Sequence, residues 1–423
     1  MLWIGLLAPI GLNQARSTTD VLASPISTLS IFQAVVPAAC LILAFLLARP
    51  RLFPVTRIES WLLLFLGISV LSTVWSIQPF PTFLKAVAFI AAYILVLLLI
   101  RLHGRAGVDS ISALGTVVHY LLLTVPLGLL VSASRAFAPI SSLNPVHRLK
   151  GVIPYIHPDA LGFLVACGIV LLLARIGPDW TKRVGARYAL FGLYIGMILE
   201  TRSRSSLVIC IVGVLALMMQ RLNRRLSLIV VAPAALLLII LVFDTSSSTI
   251  VTSYVQRGQS STAFTSLSGR TVSWHAAVSL WKQAPLLGQG YYSGTRLGNL
   301  EDILNRSTSN TGSVWVDVLL NLGLLGLIPF AFFVFSGARA ALDRGGGQSA
   351  PVTARRALIA MCLASSLVIV SLEQPGYSMI IFSIVLLARR SREESQPVRD
   401  EDLYRSEPSL RPSDGAGAQV GRG

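Results

Sequence analysis

Arg202 and Arg204 lie in the short run Thr201-Arg202-Ser203-Arg204-Ser205-Ser206, pressed between two apolar stretches. Charged groups at such a boundary need a partner or a task. The planar fork of a guanidinium matches phosphate oxygens in pairs, so a diphosphate is a natural ligand. Arg148 and Lys150 stand just before a third apolar stretch, which opens at His157-Pro158-Asp159. Arg270 follows Ser268-Gly269 in a long polar segment that also holds Arg257, Lys282, Arg296 and Arg306. Snorkelling to lipid headgroups is the plainer reading for any one of these cations. It fits Arg204 less well, because the turn is so tight.

Around Arg270 the sequence predicts a helix. Ser268 is a fitting N-cap, and Trp274, Ala277, Val278, Trp281 and Ala284 recur with helical spacing. Pro285 ends the helix, and Leu286-Leu287-Gly288-Gln289-Gly290 turns the chain. Arg270 would then occupy the first turn, where free backbone N–H groups and the helix dipole both favour an anion. The alternative is a helix that merely lies on the bilayer with its tryptophans at headgroup level.

Acid–base groups are few. His157 is a candidate proton shuttle or sugar ligand. The Pro and Asp after it are equally those of an ordinary helix start, with Asp159 only a cap. His275 is a second candidate, close to Arg270. Glu373, in the turn Glu373-Gln374-Pro375-Gly376, is a third, since carboxylates are scarce on that face. No phosphate-binding loop, dinucleotide fingerprint or zinc spacing occurs, so neither ATP nor a metal or other cofactor is expected.

The elements that must position these groups are membrane spans. The chain has 423 residues, of which 54% are hydrophobic and 13% charged. Soluble domains are seldom so apolar. Apolar runs recur near 28–48, 60–77, 83–101, 112–133, 157–175, 188–201, 205–220, 226–243, 314–337, 355–372 and 376–388. Residues 1–12 would make a twelfth. Lipid forbids unpaired backbone, so the expected fold is all-α, a polytopic transmembrane bundle of 11–12 spans. The four cysteines all fall inside apolar runs and read as packing residues. No cleavable secretory signal is expected, because the first residues lack a basic stretch.

Loop charge sets the orientation. One alternating set of loops holds sixteen Lys and Arg, and the short loops of the other set hold six. The richer set is therefore expected in the cytoplasm, with both termini inside. This also accounts for the net charge of +16 without a nucleic-acid partner. The expected organisation is an N-terminal membrane bundle over 1–243, a large external loop over 244–313, C-terminal spans over 314–388, and a disordered cytoplasmic tail over 389–423. A loop of that length in a compact membrane protein is more often functional than idle.

Taken in order, these stretches resemble the O-antigen ligase and Wzy-type polymerase superfamily, which includes exopolysaccharide polymerases. Arg148-Leu149-Lys150-Gly151 followed by His157-Pro158-Asp159-Ala160-Leu161-Gly162 is similar to the family's segment before a middle span. Ser203-Arg204-Ser205 resembles its short Ser-Arg turn. Ser268-Gly269-Arg270-Thr271 with Trp274 and Pro285-Leu286-Leu287-Gly288-Gln289-Gly290 resembles its loop pattern. Leu322-Gly323-Leu324-Leu325-Gly326-Leu327 resembles the segment after the loop.

The resemblance implies a metal-independent, GT-C type glycosyltransferase in the cytoplasmic membrane with its active site on the outer face. Its donor would be an oligosaccharide on undecaprenyl diphosphate, and its acceptor a glycan or a lipid-linked acceptor. Arg204 and Arg270 would hold the diphosphate, with Arg148, Arg202 and Trp274 as further substrate-binding candidates. The chain departs from the pattern at Gly312-Ser313, where the family usually carries His-Asn. That histidine is often the acceptor-side catalytic group, so His157, His275 or Glu373 would have to replace it. A transporter or flippase of lipid-linked sugars is the competing reading. It would place charges along a cavity within the spans rather than at the outer boundary.

Overall fold

The computed structural model describes residues 55–138, 147–152, 154–221, 270–296, 300, 311–342, 349–368 and 376–388, with isolated positions before residue 43. Apart from such positions, the expected spans near 28–48 and over 226–243 lie outside the described residues. So do much of the loop 244–313, Glu373 and the tail after 388.

The described chain is built from helices α1 (Arg57–Leu71), α2 (Pro79–Arg105), α3 (Ser110–Val131), α4 (Pro158–Leu173), α5 (Val184–Glu200), α6 (Arg204–Arg221), α7 (Arg270–Trp281), α8 (Val314–Leu342), α9 (Ala350–Val368) and α10 (Tyr377–Leu387). Among the described residues, five helical stretches are long and apolar enough to cross a bilayer: Arg57–Val74, Pro79–Gly104, Ser110–Val131, Val314–Leu342 and Ala350–Val368. Pro158–Leu173, Arg204–Gln220 and Tyr377–Leu387 are shorter apolar helices. The protein is thus an all-α, multi-pass membrane protein. Helix starts follow local chemistry. Thr56 and Glu59 form a capping box on α1, and Asp109 caps α3 by accepting from Ser112 N at 2.8 Å.

At the centre lies α4. Every residue from Leu161 to Leu172 is buried, with α3, α5, α6, α9 and α10 packed around it. A helix apolar on all sides belongs in such a place. The link from α3 to α4 holds two short antiparallel ladders that the sequence reading did not foresee. In one, β1 (Phe137–Ala138) pairs with β2 (Arg148–Leu149); in the other, β3 (Gly151–Val152) pairs with β4 (Tyr155–Ile156). Two-residue strands carry too little alternation to be read from sequence. They matter because β2 folds Arg148 back against the end of α4.

A second irregular feature joins the loop to the bundle. Gly323 interrupts α8 with φ 60° and ψ −159°. The freed carbonyls of Leu320 and Asn321 accept from Gln289 N at 3.0 Å and Gly290 N at 2.8 Å. In return, Leu324 N and Leu325 N donate to the carbonyls of Pro285 and Leu286, each at 3.0 Å. The turn after α7 is therefore docked into the break by its backbone. Non-helical backbone at membrane depth is tolerated only where protein satisfies it. Side chains continue the seam: Tyr291 stacks on Phe89 at 5.2 Å, and Trp75 Nε1 donates to Leu287 O at 3.0 Å.

Gly288 has φ +69°, and a Cβ there would stand 2.6 Å from the Gly323 nitrogen and the Asn321 carbonyl carbon. Backbone on both sides leaves nothing to yield. Gly288→Ala is expected to destabilise the protein by on the order of 3 kcal/mol through left-handed strain and overpacking. Thermal unfolding of the purified protein in detergent checks this; an unchanged midpoint would mean that the seam does not hold the loop.

Candidate functional site

The ion pair of Arg148 and Asp159 organises one end of the bundle. Arg148, 3% exposed, donates from Nη2 to Asp159 Oδ1 at 2.6 Å and from Nε to the carbonyl of Thr201 at 2.8 Å. Ser203 Oγ donates to the same Oδ1 at 2.8 Å, and Ser206 Oγ donates to Ser203 Oγ at 2.8 Å. Close helix approach makes this reach possible. A Cβ on Gly162, one turn below Asp159, would lie 2.5 Å from Ser206 Oγ. The turn from α5 to α6 is thus tied to both β2 and the start of α4. It carries Arg202 in the left-handed region, at φ 49°, a strained conformation for a residue with a side chain.

Two further guanidiniums face this network. Half-buried Arg204, the first residue of α6, lies near enough to Arg270, Arg148 and Asp159 to feel their charges. Arg270, the first residue of α7, is lowered in pKa by burial, and the charge of Asp159 opposes that shift. An arginine side chain stays protonated in such settings. The result is a cluster of cations from three separate elements around one carboxylate.

The start of α7 is held in place from α8. Trp274 Nε1 donates to the carbonyl of Thr311 at 3.1 Å, and Thr311 N donates to Asp317 Oδ1 at 2.9 Å. Asp317 is fully buried. Between Thr311 and α8, Gly312 adopts φ +83°, and a Cβ there would meet Arg270 Nε at 2.9 Å. The stem of Arg270 lies across the site of the missing histidine.

His157 caps α4, its Nδ1 accepting from Asp159 N at 3.3 Å. The same nitrogen is 3.8 Å from Asp159 Oδ2. Loss of hydration lowers its pKa; Asp159 opposes the shift, and Arg148 and Lys150 add to it. Neutral imidazole is the favoured form near pH 7.

The sequence candidates therefore separate. Arg148, Arg204, Arg270 and His157 come together. Trp274 is nearby, but its indole N–H is engaged with Thr311, which makes it a pin for α7. Among the described residues, Arg202 makes no side-chain hydrogen bond or ion pair. His275 is exposed, opposite the buried face of α7, which consists of Ser273, Ala276, Ala277 and Leu280. That face is turned from the expected one of Trp274, Ala277, Val278, Trp281 and Ala284 and shares only Ala277 with it. Small residues allow α7 to lie close to α8, and the two tryptophans flank the contact. Glu373 lies outside the described residues. Asp159 and Gly312 are the positions that sequence reasoning undervalued. The signal for Asp159 was a carboxylate at a span boundary, nine residues after Lys150 and eleven after Arg148.

Gly312→Ala is expected to push the Arg270 guanidinium aside. Misplacement by about 1 Å costs on the order of a hundredfold in rate. The measurement is the glycan transfer expected from the sequence, at unchanged protein level; wild-type activity would show that Arg270 does not depend on this contact.

Residues 189–331 match the family model described as Wzy_C: O-Antigen ligase. No curated protein matches the chain. The matched segment includes Arg204, Arg270, Gly312 and the break at Gly323, while Arg148, His157 and Asp159 precede it. The chain thus carries an O-antigen ligase-type domain over residues 189–331, set in a multi-pass helical bundle.

Proposed function

We propose that the protein is a membrane glycosyltransferase that polymerises or ligates oligosaccharides carried on undecaprenyl diphosphate, at the outer side of the cytoplasmic membrane. An enzyme of the O-antigen ligase and polymerase type, acting on lipid-linked glycans in a membrane, follows from the family domain. The finer reading rests on one observation: Arg204 and Arg270, from separate helix starts, converge with Arg148 on Asp159.

The chemistry then follows from charge. As the bond between the donor sugar C1 and the diphosphate oxygen breaks, its electron pair leaves with the diphosphate. Arg204 and Arg270 are fixed cations placed to stabilise that growing charge. An acceptor hydroxyl oxygen forms the new bond to C1, and its proton passes to a base. Of the two candidates among the described residues, His275 is exposed and His157 lies beside the cluster. It is neutral when the hydroxyl approaches, and once protonated it can turn Nδ1–H toward Asp159 Oδ2. His157 thus takes the place of the histidine for which Gly312 leaves no room. The bond energy is supplied by the donor.

Replacing Arg204 or Arg270 by Ala is expected to reduce high-molecular-weight glycan at least roughly a hundredfold, the scale of losing a transition-state charge partner. Protein levels should not change. Persistence of glycan length and amount in both variants overturns the reading. Failure of lipid-linked units to reach the outer leaflet would favour a flippase instead.

A base must be unprotonated to act. Activity should therefore be full above the pKa of His157 and fall as pH drops through it. Because that pKa is lowered, the fall should come below the ordinary histidine value near 6.5. His157→Gln should greatly reduce transfer and remove the acid limb. A limb that survives unchanged in this variant would exclude His157 as the base.

A further inference from the structure

Asp159 holds an unusual position for a carboxylate in an anion site. Its Oδ1 is committed to Arg148 and Ser203, while its side chain remains 33% exposed. It is in direct contact with Arg148 and within electrostatic reach of Arg204 and Arg270. A site selected only to bind anions as tightly as possible would not carry a negative charge among its cations. The hydrogen bonds from Arg148 Nη2 and Ser203 Oγ do not by themselves require that charge, since a neutral amide oxygen would also accept them.

The two lipid species that such a site meets differ by charge. A diphosphate esterified at both ends, as in a lipid-linked sugar, carries one negative charge on each phosphorus. Loss of the sugar exposes a terminal phosphate, which titrates near pH 6 and so carries about one further negative charge at neutral pH. Three arginines with nothing to oppose them would hold that product more tightly than the donor.

We infer that Asp159 is the specificity-determining residue that makes the arginine cluster prefer a diphosphate diester to a diphosphate monoester, so that the spent lipid carrier is released. This rests on the reading of Arg204 and Arg270 as the diphosphate site. The carboxylate repels both species, and the monoester more strongly by its additional charge. Two charges separated by several ångströms at a partly solvated site interact strongly enough for a preference of about tenfold.

The test is equilibrium binding to the purified full-length protein in nanodiscs. The probes are undecaprenyl diphosphate as the monoester and undecaprenyl diphosphoglucose as the diester. Asp159→Asn keeps the shape and the acceptor oxygen and removes the charge. It should tighten the monoester roughly tenfold relative to the diester at pH 7.5. The shift should shrink at pH 5.5, where the terminal phosphate takes up its proton. Asp159→Glu, which restores the charge, should return the ratio toward that of the wild type. An unchanged ratio in Asp159→Asn, or an equal loss of both probes, overturns the inference. Arg204→Ala and Arg270→Ala separate this from the underlying reading. If they bind both probes as the wild type does, it is the diphosphate site itself that fails.

Discussion

The contact between Arg148 and Asp159 joins three stretches that are far apart in the chain. Arg148 arrives on a two-residue strand, Asp159 opens the central helix, and Thr201, whose carbonyl Arg148 also holds, closes α5. An ion pair taken out of water gains little net stability, because desolvation offsets most of the attraction. Losing one partner is costly, since the other is left uncompensated. The pair therefore specifies an arrangement more than it adds stability. It fixes the height at which the turn bearing Arg204 meets the start of α4, and α7 brings Arg270 within electrostatic reach of both.

The other side depends on a break. An uninterrupted α8 would have no backbone groups to offer. Gly323 frees the carbonyls of Leu320 and Asn321, and the turn after α7 takes them up. The two glycine-bearing segments that resemble separate family motifs, Pro285-Leu286-Leu287-Gly288-Gln289-Gly290 and Leu322-Gly323-Leu324-Leu325-Gly326, are in space a single joint. Thr311, Asp317 and Trp274 lock that joint to the N-terminus of α8. The loop is thereby referenced to the same frame as the helices, so that an arginine on a loop can act together with an arginine on a span.

Much of this was legible in the sequence, for physical reasons. Apolar runs bounded by arginines are forced by lipid, and Arg204 and Arg270 stood out because cations at an outer boundary are costly without a task. His157 was visible as a lone imidazole at a span start. Asp159 was passed over because a carboxylate in the first turn of a helix already has a sufficient local explanation. Only the fold of β2 supplies the second one. The buried face of α7 was misjudged because tryptophan spacing dominates a hydrophobic pattern. Its actual buried face combines Leu280 with serine and alanine, whose contribution is closeness rather than apolar area. The link between Gly312 and Arg270 spans forty-two residues and has no local signature.

That last contact also constrains how the sequence can change. A residue with a side chain at position 312 would meet both a left-handed backbone and the Arg270 stem. Reinstating the histidine by one substitution would thus disturb the arginine before any base could be gained. A histidine here would have to come with a different path for the guanidinium. Under the proposed assignment of the proton acceptor to the start of α4, glycine at 312 is what leaves the arginine its present path. Sequences with a histidine at the equivalent position should therefore route the neighbouring guanidinium differently, and the pairing of residue types at 270 and 312 becomes a marker that sorts the family by where it keeps its base.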